Sequence, residues 1–293
     1  MTRAEPEVVT PARLRSWPLS EPGVGKESRG TVLVLGGSTT TPGAVRLAGE
    51  AALRAGAGKL VLATARSVTA ALAVAVPEAR VLGLDEDQDG SVAPSAAPRI
   101  LEAAGGADAL LIGPGFVDPD AAVALLSGIL PRLECPVVLD ALGTAYVTAR
   151  PDGLSHLAGA AIVTANTSEL AAMMKREEDD IVANAGDAVR DLAQQVGAVV
   201  LVGGETKHVA APDGRAWVVE GGGPGLGVSG SGDVQAGIAA GLLGRGEEPV
   251  KAAVWAAYLH ARAGERLAGS VARLGYLARE LTPVLPRVIT EVS

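Results

Sequence analysis

The stretch "GVSGSGDVQAGIAAGLLGRG", Gly227 to Gly246, sets glycines and one carboxylate at the mouth of an apolar, Ala/Leu-rich run that reads as a buried helix. A linker would not need the helix, and a plain core helix would not need the glycines. Glycines at a helix start let successive N–H groups turn towards an anion without Cβ obstruction. Asp233, beside the nest at Gly230–Gly232, can take a proton from an attacking hydroxyl. Phosphoryl transfer uses both parts: donors for the charge building on the phosphate, and a base for the nucleophile. The structural alternative is that Ser231 or Asp233 only caps the helix. A hairpin signal and a second Gly-rich run, "EGGGPG", just upstream favour the functional reading.

Further upstream, short apolar runs alternate with helical patterns. "TVLVLGG" (Thr31–Gly37), "KLVLAT", "ALLIGPG" (Ala109–Gly115), "PVVLDA" (Pro136–Ala141), "AIVTAN" (Ala161–Asn166) and "AVVLVGG" (Ala198–Gly204) read as strands. All but "KLVLAT" end in or just past Gly, Asp or Asn. Continuous apolar runs suit strands covered on both faces, hence a parallel sheet between helix layers. Ligands in such sheets bind at the carboxyl ends of the strands, so the polar endings mark one rim. The fold class expected is α/β, three-layer α/β/α with a mostly parallel central sheet. A helix follows Thr31–Gly37 from about Gly43 to Ala55. "VAAPDGRAWVVEGG" reads as a hairpin around Pro-Asp-Gly. Residues 1–28 read as a polar lead-in with a short helix near Pro11–Trp17. No repeat or Pro/Ser-rich linker divides the chain, so a single domain over 1–293 is expected.

Composition narrows the function. The 293 residues are 48% hydrophobic and 20% charged, enough for a large core and too apolar for disorder. Aromatics make up 2%, which leaves few platforms for stacking bases. A net charge of −8 argues against nucleic acid or an anionic membrane as main partner. The single cysteine, Cys135, has no disulfide partner and reads as a core thiol. The N-terminal stretch lacks a signal-peptide apolar core, and runs such as "TAALAVAV" fall short of a membrane span. The expectation is a soluble cytoplasmic protein.

Three further segments need weighing. "GGSTTTPGA" (Gly36–Ala44) joins strand to helix but is neither G-x-G-x-x-G nor a Walker A loop. "NTSE" (Asn166–Glu169) is either a helix cap or a polar pair holding hydrated Mg2+ near phosphates. "KREEDD" (Lys175–Asp180) reads as a solvated loop, His260 as a core or helix-face histidine, and His156 and His208 have no partner in sequence.

With these pieces in order, the chain resembles the ribokinase-like superfamily, and more closely its ADP/ATP-dependent NAD(P)H-hydrate dehydratases, from about Lys26 to about Leu267. The residues that carry the resemblance are "VLVLGGSTTTPGAVRLAGEAALRAGAGKLVLAT", "LLIGPGF", "VVLDA" and "GGPGLGVSGSGDVQAGIAAGLL". The resemblance implies repair of hydrated NADH or NADPH. The nucleotide phosphorylates the ring hydroxyl, phosphate leaves and the double bond returns. It makes Asp233 the base, with Gly230 and Gly232 at the phosphate and Gly232 a nucleotide contact. It places Ala44, Gly115 and Asn166 on the substrate. Val202, Gly203, Gly204, Glu205 and Thr206 line the nucleotide, and Glu169 holds Mg2+ through water. It also implies a homo-oligomer.

The chain departs from the family pattern in three places. "NTSE" stands for His-Pro-Gly-Glu, so Asn166 takes the histidine's position, and Asn-x-x-Glu is the form of sugar and vitamin kinases of the superfamily. Val202 stands for the lysine of Lys-Gly-Ala-x-Thr, and strand alternation predicts that Lys207 faces elsewhere. "DALGTAY" keeps Asp140 without the second aspartate. A small-molecule hydroxyl kinase is therefore the second reading, and a non-catalytic nucleotide-binding relative the third.

Overall fold

The apolar runs with polar ends all form strands, and the strands lie side by side. A computed structural model describes residues 4–21 and 23–293. In chain order the strands are β1 (Glu7–Val8), β2 (Thr31–Leu35), β3 (Lys59–Ala65), β4 (Ala79–Leu84), β5 (Ala109–Ile112), β6 (Val137–Leu139), β7 (Ala161–Ala165), β8 (Val199–Val202), β9 (Thr206–Ala210) and β10 (Ala216–Glu220). The helices are α1 (Pro11–Arg15), α2 (Pro42–Arg54), α3 (Thr69–Ala75), α4 (Ala97–Ala104), α5 (Pro119–Ile129) and α6 (Ala145–Ala149). They continue as α7 (Thr167–Met174), α8 (Glu178–Ala183), α9 (Ala185–Val196), α10 (Ser231–Gly244), α11 (Pro249–Ser270) and α12 (Ala278–Val292).

The strands make one sheet in the order β1-β10-β9-β8-β7-β6-β5-β2-β3-β4. All run the same way except β9, which pairs antiparallel with both neighbours. Alternate residues of each strand face opposite layers. Val32 and Val34 of β2 join a core with α2, α10, α11 and α12, while Leu33 and Leu35 join one with α4, α5, α7 and α9. This is the three-layer architecture expected. The chain leaves β2 for β3 and β4 on one side, then returns to β5 on the other. That reversal opens a crevice at the carboxyl ends of β2 and β5, the place where such sheets bind ligands.

The deciding stretch becomes α10, and its later glycines prove to be contact residues. An added Cβ at Gly237 would lie 2.2 Å from the Ala48 carbonyl oxygen, and one at Gly241 2.4 Å from that of Ala52. At Gly244 it would meet Val32 at 2.6 Å. The glycine face of α10 thus lies flush against the Ala48–Ala52 face of α2. The helix is buried along nearly its whole length, from Val234 to Gly244.

Four elements differ from the expectation. β1 adds to the sheet beside β10, so the lead-in is docked. Leu14 is fully buried, Trp255 Nε1 donates to the Trp17 carbonyl at 3.1 Å, and Glu247 accepts from the Ser20 N–H. β4 was unread because it is a half-exposed edge strand of mixed pattern. The strand read over Ala198–Gly204 ends at Val202, and Gly203–Glu205 form the turn of the β8–β9 hairpin. Glu178–Asp180 of "KREEDD" form the exposed first turn of α8 rather than loop.

Gly241→Val should lower the free energy of unfolding by about 1–3 kcal/mol or more, because backbone rather than a side-chain tip blocks the new methyls. Gly232→Ala, whose Cβ meets nothing within 4 Å, should leave stability unchanged or slightly raised. Urea unfolding of both variants checks the pair.

Candidate active site

Because β2, β5, β6, β7 and β8 are parallel neighbours, their polar ends form one rim. Along it stand Gly36–Gly37, Gly113–Gly115, Asp140–Ala141, Ala165–Asn166 and Gly203–Gly204. Tight backbone contacts fix the first two. The Gly37 N–H donates to the Pro114 carbonyl at 2.7 Å, and Thr41 Oγ1 donates to that of Gly115 at 2.7 Å. Gly115 has φ +76, and a Cβ there would strike the Thr41 carbonyl oxygen at 2.6 Å. Ala141 also sits in the left-handed region, at φ 47, a strained conformation for a non-glycine residue.

A cavity of about 480 Å³ opens between this rim and the mouth of α10. Asp140, Asn166, Glu169, Gly203–Glu205 and Lys207 line one side, and Gly223, Pro224, Leu226–Val228, Gly230–Asp233 and His260 the other. Gly230, at φ 89, is the N-cap of α10 and has no side chain to close it. The Ser231 N–H is already given to the Val228 carbonyl at 3.1 Å. The N–H groups of Gly232 and Asp233 have no acceptor among the described residues. The nest is thus narrower than expected by one donor. Ser231 Oγ lies 2.9 Å from His260 Nε2, so His260, read in the sequence as a core or helix-face histidine, is a buried member of the cavity wall.

Four carboxylates share the cavity wall: Asp140, Glu169, Glu205 and Asp233. Burial, and then the facing Asp233, push Asp140 up to about 8, although Thr164 Oγ1 donates to it at 2.7 Å. Burial, and then Glu169, raise Asp233 to about 6. Near neutrality Asp140 therefore holds a proton while Asp233 is ionised, a division suited to one base. Burial raises Glu169 as well. His260 is held well below its ordinary range by burial and by the nearby Lys207 charge, so it is neutral.

The expected site residues separate into three groups. Asp233, Gly230, Gly232, Asn166, Glu169, Gly203, Gly204 and Glu205 line the cavity. Ala44 and Gly115 meet each other at the switch point beside it, without lining it. Val202 and Thr206 are outside. Val202 is buried in the opposite core layer, and Thr206 is exposed at the start of β9. The expectation for Lys207 is overturned. Lys207 does lie on the face opposite to Val202, but that is the face on which the cavity opens. Asn166 and Glu169 form a reciprocal capping box: Asn166 Oδ1 accepts from the Glu169 N–H at 2.8 Å, and Glu169 Oε2 accepts from the Asn166 N–H at 2.9 Å. The Asn-x-x-Glu spacing that suggested a kinase thus has a structural explanation.

The layered sheet and a glycine-mouthed helix beside an ionised aspartate define a ribokinase-like α/β protein with a site fit for phosphoryl transfer. A ribokinase-like protein from Enterococcus faecalis shares the fold, with a TM-score of 0.82 at 20% identity over 98% of this chain and 96% of that one. The chain belongs to the NAD(P)H-hydrate dehydratase family, whose model matches residues 32–287. It is 43% identical to an ADP-dependent (S)-NAD(P)H-hydrate dehydratase of Xanthomonas campestris, over 99% of this chain and 98% of that protein. The ADP/ATP-dependent NAD(P)H-hydrate dehydratase of Bacillus subtilis, crystallised with ATP and Mg2+, superposes with a TM-score of 0.81 at 28% identity, over 98% of this chain and 99% of that one. Among the described residues no helix is long and apolar enough to cross a membrane.

Asp140 offers a test of these electrostatics in the ligand-free protein. Its folded pKa is raised from 3.8 to about 8, so its stabilising contribution is full below pH 4 and is lost as pH rises through 8. Asp140→Asn should therefore gain on the parent between pH 5 and 8, by at most about 1.4 kcal/mol per pH unit, and level off above. Thermal unfolding across that range checks it; a gap independent of pH would remove Asp140 as the source.

Proposed function

We propose that the protein repairs hydrated NADH or NADPH, using ADP or ATP as phosphoryl donor. The observation that carries the reading is the Asp233 carboxylate beside the open N-terminus of α10, in a chain of this family. Asp233, ionised near neutrality, takes the proton of the ring hydroxyl as its oxygen attacks the terminal phosphorus. The free N–H groups of Gly232 and Asp233 point where the phosphate charge builds. The carbon–oxygen bond then breaks with its electron pair leaving on phosphate, a neighbouring carbon gives its proton to water, and the electron pair of that C–H bond becomes the ring double bond. Ala44 and Gly115, at the switch point, border the ring. The nucleotide extends past the Gly203–Glu205 turn, which two consecutive glycines keep open.

Mg2+ fits this site only as a companion of the phosphates. Among the described residues no three acidic, His or Cys side chains converge on a metal position. One Glu169 oxygen is held in the capping box, which leaves the carboxylate to reach a phosphate-bound ion through water. When bound, the ion offsets phosphate charge.

Purified protein mixed with hydrated NADH, Mg2+ and ADP or ATP should restore absorbance at the reduced-nicotinamide band. Asp233→Asn should lower kcat by about 100-fold or more while unfolding as the parent does. The parent's rate should rise with pH through about 6 as Asp233 ionises. No recovery with either nucleotide would reject the activity, and near-normal turnover of Asp233→Asn would reject the base.

A further inference from the structure

Lys207 is the second residue of β9, and its side chain lies on the wall of the cavity with 2% exposure. A buried ammonium normally has a carboxylate within ion-pairing reach. Among the described residues Lys207 makes no hydrogen bond or ion pair, although four carboxylates line the same cavity. Along its own strand the residue on its face is Val209, fully buried in the core. It is also the only lysine or arginine among the described residues of the cavity wall. Among the described residues, no partner supplies the negative charge it needs.

Three further donors of the cavity belong to the first turn of α10. The Gly232 and Asp233 N–H groups lack acceptors among the described residues, and Ser231 Oγ stands beside neutral His260. An ammonium, two N–H groups and a hydroxyl around one space suit a tetrahedral oxyanion. A polyanion entering past the ionised Asp233 would otherwise meet like charge.

We propose that Lys207 binds the transferring phosphoryl group of the nucleotide, as the cation of this site. The inference rests on the phosphoryl-transfer reading above and adds a catalytic residue to it. Lys207 keeps its proton and donates to a non-bridging oxygen. The bond from phosphorus to the nucleotide's bridging oxygen breaks, the bond to the substrate oxygen forms, and the hydroxyl proton goes to Asp233. In the ligand-free protein, burial holds Lys207 down at about 8, and the other titratable groups on the cavity wall are Asp140, Glu169, Glu205, Asp233 and His260. A bound phosphate would restore the charged form to higher pH.

Binding separates this role from a structural one. Lys207→Met and Lys207→Arg would be titrated with MgADP, with inorganic pyrophosphate plus Mg2+, and with adenosine. Lys207→Met should lose tenfold or more in affinity for ADP and pyrophosphate and keep its affinity for adenosine. Its kcat in the repair assay should fall by about 100-fold or more, the scale of one lost transition-state donor. Lys207→Arg should recover part of the phosphate affinity. Ligand-free Lys207→Met should melt at or above the parent's temperature, since it removes an unpaired buried charge. Unchanged affinity of Lys207→Met for ADP and pyrophosphate would overturn the assignment. So would an equal loss for adenosine with a lower melting temperature. If the parent binds ADP but does not repair hydrated NADH, the proposed activity fails while the pyrophosphate comparison still decides Lys207. A parent that binds neither ADP nor pyrophosphate overturns both.

Discussion

The close approach of α10 to α2 carries the rest of the architecture. Gly237 and Gly241 remove the methyls that would strike the Ala48 and Ala52 carbonyls, so the two helices meet backbone to backbone. That contact sets the axis of α10 against the sheet and fixes its N-terminus at the carboxyl rim. At that end a Cβ added to Gly230 would lie 2.5 Å from Leu47 of α2, so the same contact also holds the turn that leaves the N–H groups open. The glycines of the opening stretch thus have two separate duties. The early ones expose donors, and the later ones let the helix lie where those donors are useful.

The site is built against the ordinary preferences of a folded interior. Moving a lysine from 10.5 to about 8 by burial costs about 3 kcal/mol at neutral pH. Asp140 is driven into its neutral form, and Ala141 is held at a positive φ. Among the described residues Lys207 has no partner of opposite charge. Residues that lower stability where a ligand would relieve them are what a binding site requires, and the large apolar layers on both faces of the sheet can carry them.

Much of the fold was legible because a parallel sheet writes its strands as unbroken apolar runs, and its rim as the residues that follow. Gly36, Gly113, Asp140, Asn166 and Gly203 all follow strand ends, and all lie on one edge. β4 was not legible, because an edge strand alternates weakly and reads as connection. β1 was too short to show a period, and its pairing with β10 joins residues far apart in the chain. The Ser231–His260 contact likewise spans two helices and leaves no mark on either one's pattern. The place of Lys207 was hidden for another reason: alternation puts it on the face opposite Val202, and the cavity opens on that face.

Lys207 reaches the rim because β9 runs backwards. In a sheet of parallel strands only the final residues of each strand reach the carboxyl rim. A further parallel strand would have delivered its last residues there and its second residue to the far edge. The three-residue turn Gly203–Glu205 instead folds β9 back along β8, so β9 begins at the rim. Val202 and His208 are opposite each other and face the same layer, which turns the intervening inward position over to Lys207. An apolar residue at the end of β8 and a lysine at the start of β9 are therefore two consequences of one hairpin. The cation enters on the strand that departs from the sheet's direction, on the face where α10 presents its open N-terminus.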